Sequence, residues 1–207
     1  MAPTEPLVYV VDDDVAVLDA IRLLLRSVGL RAATYPSAAD FLAAFDPEQA
    51  GCLVLDIRMP VMSGIELQER LREMEAMIPI VFVTAHGDIP MAVQAVKAGA
   101  LDFIPKPFRD QDLLDRVQEA IELDRQHRDE LADLAALEER YASLTARERE
   151  VLELVVAGKA NKVIAAELEI SQRTVEIHRG RVMEKMRARS LPQLVRMTLR
   201  IQQRPAP

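Results

Sequence analysis

The chain is predicted to be an α/β protein: a doubly wound, five-stranded parallel sheet over residues 1–124, a long helical linker over 125–142, and an all-α, four-helix unit over 143–207. Three observations predict it. Short runs of β-branched and aliphatic residues alternate with amphipathic stretches up to about residue 124, which implies right-handed crossovers, a parallel sheet and helices on both of its faces. Residues 110–142 contain neither Gly nor Pro and are rich in strong helix formers, so the last helix of the first unit is expected to run on. Beyond the run 101–105 no further strand signal occurs. At 207 residues and 50% hydrophobic, the chain has enough apolar material for two cores.

The elements of the first unit follow in pairs. Strands are expected at 7–11, 31–35, 52–56, 79–84 and 101–105, each followed by a helix, at 15–28, 37–45, 63–74, 89–98 and 110–124. Gly29 and Gly99 close helical stretches, Pro79 leads into a strand, and Ser37 and Ser63 are placed as N-caps. Along the linker, apolar residues recur at Leu131, Leu134, Leu137, Tyr141 and Leu144, but Asp124 and Arg128 break the seam, so a rigid spacer fits better than an extended coiled coil. The last unit reads as helices at 146–157, 161–168, 172–186 and 191–203. Thr145 with Glu148 has capping-box spacing, and Gly158 ends the first of these helices. The short turn Glu169-Ile170-Ser171, with Ser171 as the next N-cap, has the sequence form of a helix-turn-helix.

Charge divides the chain in the same places. Residues 1–124 carry 10 Lys/Arg against 21 Asp/Glu (−11), residues 125–142 carry 3 against 5 (−2), and residues 143–207 carry 13 against 7 (+6). A basic block on an acidic protein is the electrostatic sign of a phosphate-rich partner, though solvated surface lysines give the same count. No apolar stretch reaches the roughly 20 residues of a membrane span, and the N-terminus lacks the plan of a signal peptide, so a cytoplasmic protein without membrane association is expected. The one cysteine, Cys52, is expected to be a small core residue.

In an open parallel sheet, ligands bind outside the carboxyl ends of the strands. Asp12 and Asp13, Asp56, Thr84 and Lys106 all fall at such ends. Attack on a phosphoryl donor needs an ionised carboxylate, for which Asp56 is placed, and a cation to neutralise charge on the phosphoryl oxygens. Asp12 or Asp13 together with Asp56 would hold Mg2+, Lys106 supplies a fixed positive charge, and Thr84 supplies a hydroxyl donor. Pro107 makes a cis Lys106–Pro107 bond accessible, which would aim the ammonium inward, and the sequence leaves both isomers open. His86, beside Gly87, is expected to be at most a minor contributor, and His127 and His178, without Cys partners, do not suggest a metal site.

The segments Val11-Asp12-Asp13-Asp14, Leu55-Asp56-Ile57-Arg58-Met59-Pro60 with Ser63-Gly64, Val83-Thr84-Ala85-His86-Gly87-Asp88, and Lys97 through Phe108 resemble response-regulator receiver domains, over essentially all of 1–124. The resemblance implies the flavodoxin-like form of the doubly wound sheet. It also implies that Asp56 accepts a phosphoryl group from a sensor histidine kinase and that Asp12, Asp13, Asp56 and the carbonyl of Arg58 bind Mg2+. Thr84 and Lys106 then contact the phosphoryl oxygens, and Phe103 is the aromatic switch that turns inward as Thr84 moves. An aspartate-nucleophile phosphohydrolase shares this chemistry, but such enzymes carry a second Asp two residues after the nucleophile, where this chain has Arg58; no enzyme is expected.

The run Leu144–Gly158, then Asn161–Leu168, then Ser171–Met186 looks like the LuxR-type helix-turn-helix, and with the receiver it places the chain among NarL/FixJ-type regulators. The uninterrupted linker is similar to that of regulators of aromatic-compound catabolism in that group. Val175, Val182 and Met186 are expected in the core, leaving Arg173, Thr174, Glu176, Ile177, Arg179, Gly180 and Arg181 on the groove side, while Asn161 and Lys162 suit backbone phosphates. Glu176 stands where many relatives carry Lys, which leaves an acceptor for a cytosine amino group. Glu169 stands where Gly is common and is strained if φ is positive there. The expected partners are a sensor histidine kinase, double-stranded DNA, RNA polymerase and, on phosphorylation, a second copy of the chain. The competing expectation is a constitutive DNA-binding protein with a degenerate receiver, against which the complete acidic, Thr and Lys set argues.

Overall fold

A computed structural model describes residues 5–85 and 89–202. Two compact units divide at Arg128 and Asp129. In the first, strands β1 (Leu7–Val11), β2 (Arg31–Tyr35), β3 (Gly51–Asp56), β4 (Ile80–Thr84) and β5 (Asp102–Pro105) alternate with helices α1 (Val15–Ser27), α2 (Ala38–Ala44), α3 (Gly64–Glu73), α4 (Ile89–Lys97) and the start of α5 (Asp110–Ala142), whose last residues from Asp129 belong to the second unit. The sheet has the order β2-β1-β3-β4-β5 with every pairing parallel. It is therefore doubly wound, and the strand order reverses between β1 and β3.

Strand alternation builds two cores, one on each face of the sheet. Tyr9, Val11, Leu53, Leu55, Ile80 and Phe82 pack with Phe41 of α2, Leu67 and Leu71 of α3 and Ala95 of α4. Val8, Val10, Cys52, Val54, Val81, Val83 and Ile104 pack with Leu18, Ile21 and Leu25 of α1 and Leu113, Leu114 and Val117 of α5. Cys52 is a core residue as its sequence context predicts, and burial pushes its thiol up to about 12. The caps also form where expected: Ser37 accepts from the Asp40 N–H, and Ser63 makes a full capping box with Glu66.

The break in the apolar seam of α5 has a structural use. Asp124 is buried, accepts the Gly51 N–H at 2.9 Å, and is gripped by Arg128 at 2.9 Å. Arg128 in turn donates to the carbonyls of Pro47, Glu48 and Gln49, each at 3.0 Å. This pair saturates the polar backbone of the loop into β3. Gly51 is required there, because an added Cβ would lie 1.8 Å from the Leu7 carbonyl oxygen. Among the described residues no helix is long and apolar enough to cross a membrane.

The second unit holds α6 (Ala146–Val156), α7 (Asn161–Glu167), α8 (Gln172–Lys185) and α9 (Leu191–Gln202). Its core joins Val151, Leu152 and Val155 of α6, Ile164 and Ala165 of α7, Val175, Val182 and Met186 on and after α8, and Leu194 of α9; Leu137 and Leu144 also belong to it. Thr145 and Glu148 form the capping box. At the end of α7, Glu169 takes φ +55 and the Ile170 N–H reaches back to the Ala165 carbonyl at 3.0 Å, a Schellman closure with a non-glycine residue in the left-handed position. The strain expected for Glu169 is thus present.

Candidate functional site

The parallel register carries the acidic and basic groups to one sheet edge. Val11 pairs with Leu55, so Asp12 and Asp56 leave neighbouring strands at the same level; Asp56 pairs with Val83 beside Thr84; and Thr84 pairs with Pro105, one residue before Lys106. The site lies at the β1/β3 reversal, where such sheets bind ligands.

Lys106 organises it. Its Nζ donates to Asp12 Oδ2 at 2.6 Å and to Asp56 Oδ1 at 2.7 Å, while its backbone N–H donates to the Thr84 carbonyl at 2.7 Å. The Lys106–Pro107 bond is cis. The second oxygens of the acids are also engaged: Asp12 Oδ1 accepts from the Asp14 N–H at 2.9 Å and Asp56 Oδ2 from the Arg58 N–H at 2.7 Å. Burial raises the Asp56 carboxyl above its usual value against the opposing pull of Lys106, with the Asp12 charge adding to the rise. Burial pulls the Lys106 ammonium down, but the two carboxylates more than offset it and its value is raised. The structure therefore joins a strained acid and a secured cation, as a nucleophile beside a charge-stabilising group requires.

Of the other expected site residues, Thr84 is buried at the edge of β4, with its hydroxyl donating to the Ala85 carbonyl at 3.2 Å. Phe103 is half-buried on β5, pairs in register with Phe82, and packs against the core on that face. His86 lies outside the described residues. Asp13 is exposed, and among the described residues no three His, Cys, Asp or Glu side chains gather as a metal cage. Lys106 bridges Asp12 and Asp56 through its ammonium, which offsets their like charges. The carboxylate oxygens of Asp12 and Asp56, drawn together on one ammonium, are hard donors of the kind that suits Mg2+.

Two supporting residues were not singled out from the sequence. Gly64 has no room for a side chain, since a Cβ would lie 2.2 Å from the carbonyl oxygen of Asp56, and its N–H donates to the Ile57 carbonyl at 2.9 Å. Val61, fully exposed in the same loop, holds φ +69, a costly conformation for a β-branched residue. The Ser63-Gly64 pair was a legible signal for the first; no sequence signal marked the second.

In the second unit, α8 buries Val175, Val182 and Met186 follows in the core, leaving Arg173, Glu176, Ile177, Gly180 and Arg181 exposed along one face. Thr174 is half-buried and bonded to Ser171, whose hydroxyl caps the helix. Arg179 is not free for a ligand in this arrangement, because it donates to Asn161 Oδ1 at 2.7 Å and ties α8 to α7. Lys162 is exposed beside that tie. The C-terminal end of α8 is anchored as well, where Lys185 donates to Glu148 at 2.6 Å and to the Ser143 carbonyl at 3.1 Å.

Comparison with known proteins matches both units. The response regulator receiver domain model matches residues 8–118, and the model of bacterial regulatory proteins of the luxR family matches residues 142–198. The response regulator protein TmoT of Ectopseudomonas mendocina is 47% identical over 97% of this chain and 91% of its own, and the transcriptional regulatory protein FixJ of Bradyrhizobium diazoefficiens is 43% identical over 93% and 94%. Among solved structures, the response regulator StyR aligns with a TM-score of 0.86 at 50% identity, covering 95% of this chain and all of that one. Full-length FixJ from B. japonicum aligns at 0.60 and 42% identity over 98% of this chain and all of that one. The chain belongs with these relatives to the NarL/FixJ-type response regulators, transcription regulators of two-component systems rather than enzymes.

Proposed function

We propose that this regulator is switched by phosphoryl transfer from a partner sensor histidine kinase to Asp56, in the cytoplasm, and that the phosphorylated form dimerises and binds specific DNA sequences to control transcription by RNA polymerase. The observation that carries this reading is the bridge from Lys106 to Asp12 and Asp56 at the reversal of the sheet. An Asp56 carboxylate oxygen forms the bond to phosphorus while the phosphorus–nitrogen bond of the kinase's phosphohistidine breaks, its electron pair returning to the imidazole. Mg2+ held by Asp12, Asp13, Asp56 and the Arg58 carbonyl would neutralise charge on the phosphoryl oxygens. Lys106 then exchanges a carboxylate for a phosphoryl oxygen at little cost in charge. Thr84 donates its hydroxyl to the phosphoryl group in place of the Ala85 carbonyl, and Phe103 moves from its half-buried position into the space vacated.

The α4–β5 face, about 88–105, is the proposed dimer surface, where Met91 and Val93 are exposed. Dimerisation gives two weak, salt-sensitive DNA contacts one effective concentration. On DNA, Arg173, Thr174, Glu176 and Ile177 are assigned to the groove and Lys162 and Arg181 to phosphates, while Asn161 and Arg179 hold α7 and α8 together. The test is footprinting on genomic fragments with and without a small phosphodonor and Mg2+. Protection should strengthen with phosphodonor in the native chain and not in Asp56→Asn. Equal strengthening in both would refute the switch.

A further inference from the structure

Seven glycines occur in the chain, and five of the six that lie among the described residues are explained by the protein's own backbone. Gly29, Gly99 and Gly158 hold φ of +80, +105 and +78, and Gly51 and Gly64 have backbone carbonyl oxygens 1.8 and 2.2 Å from where a Cβ would stand. Gly180 has neither reason. It lies inside α8 without left-handed backbone, and a Cβ added there would meet nothing within 4 Å. Glycine is the poorest interior helix residue after proline, so its presence costs stability with no return inside the chain. Local violations of this kind are expected where function sets the residue.

Its position says which function. Arg173, Glu176, Ile177, Gly180 and Arg181 recur at spacings of three and four and form one exposed face opposite the buried Val175 and Val182. Ile177 is 48% exposed within that face. Arg181 has no bonded partner among the described residues, in contrast to Arg179, which Asn161 holds. A recognition helix enters the major groove with its N-terminal residues. Gly180 follows Arg173 on that face by two turns, about 10 Å along the helix, beyond the N-terminal residues that face the bases.

Building on the assignment of α8 to DNA, we infer that Gly180 is the point where the recognition helix meets the sugar–phosphate backbone of double-stranded DNA, its missing side chain permitting a contact that a Cβ would hold off, with Arg181 beside it neutralising the phosphate. Gly180 is thus a positioning residue that sets how deeply Glu176 and Ile177 reach toward the bases.

The test uses the full-length chain. A duplex is first selected by the native protein, with phosphodonor and Mg2+, from a library of randomised sequence; its affinity is then measured for native protein, Gly180→Ala and Gly180→Leu, beside calorimetric melting of each. Gly180→Ala should raise the melting temperature of the second unit by about 4 °C, as a better helix former. The same change should weaken binding to the selected duplex about tenfold, on the scale of one mismatched base pair, with Gly180→Leu weaker still. Unchanged affinity of Gly180→Ala would overturn the inference while leaving DNA binding intact, as would a lower melting temperature, since the fold would then need the glycine. Failure of the native protein to enrich any duplex would remove the DNA assignment of α8 and the inference with it.

Discussion

Replacing Glu148 with Ala should loosen the recognition helix without touching its outer face. Glu148, on the first turn of α6, is 2% exposed. Its carboxylate accepts from Lys185 at 2.6 Å and from the Thr145 N–H at 2.9 Å, so one side chain closes the capping box and pins the end of α8. Losing its half of the cap costs about 1 kcal/mol. Losing a hydrogen bond to a charged group costs about 1.5–3 kcal/mol, taken here near the lower end because the Lys185 side chain is 35% exposed and water screens it. The sum is about 2.5 kcal/mol, or a fall of about 10 °C or more in the transition of a unit this size. Lys185 and the capping bonds hold the Glu148 carboxyl below its usual value. A depressed carboxylate stabilises the fold above its unfolded value and loses that effect as pH falls through the folded one, so the gap between the native chain and Glu148→Gln should be full near neutrality and close below about pH 4. Calorimetry of the full chain across pH reads both. A shift under 3 °C for Glu148→Ala, or a Glu148→Gln gap that persists undiminished at low pH, would refute the reasoning.

Two further substitutions test the first unit. Val61→Gly should stabilise it by about 1 kcal/mol, relief of a left-handed β-branched residue outweighing the added freedom of the unfolded chain, and urea unfolding followed by circular dichroism would show a higher midpoint. Asp124→Ala should destabilise the same unit by about 3 kcal/mol, because it leaves the Gly51 N–H buried without an acceptor and frees Arg128 from its carboxylate; an unchanged urea midpoint would show that the loop into β3 does not depend on this pair.

Much of both units was legible because each signal was local. The runs Leu7–Val11 and Cys52–Asp56 alternate in period with their neighbours, and Ser37, Ser63 and Thr145 cap where their short side chains reach an N–H three residues on. Helix and strand ends differ from expectation by only one or two residues, at places such as Gly51, which opens β3 one residue early because the Leu7 carbonyl occupies its missing side chain's place. The pocket was legible for a related reason: in a parallel sheet, residues at strand ends must converge, so Asp12, Asp56, Thr84 and Lys106 could be grouped before any distance was known.

What the chain determined by itself was the pattern: which residues would be strands, which helices, and which polar groups would share one edge. Tertiary structure alone decided how those groups are shared. Lys106 takes both Asp12 and Asp56 and leaves Asp13 in solvent, Arg179 is spent on Asn161, and Asp124, which read as a flaw in an apolar seam, holds a backbone N–H of a distant loop. Period and propensity act over a few neighbours, whereas the partner of a buried charge is set by whichever donors packing brings within 3 Å, often from more than seventy residues away.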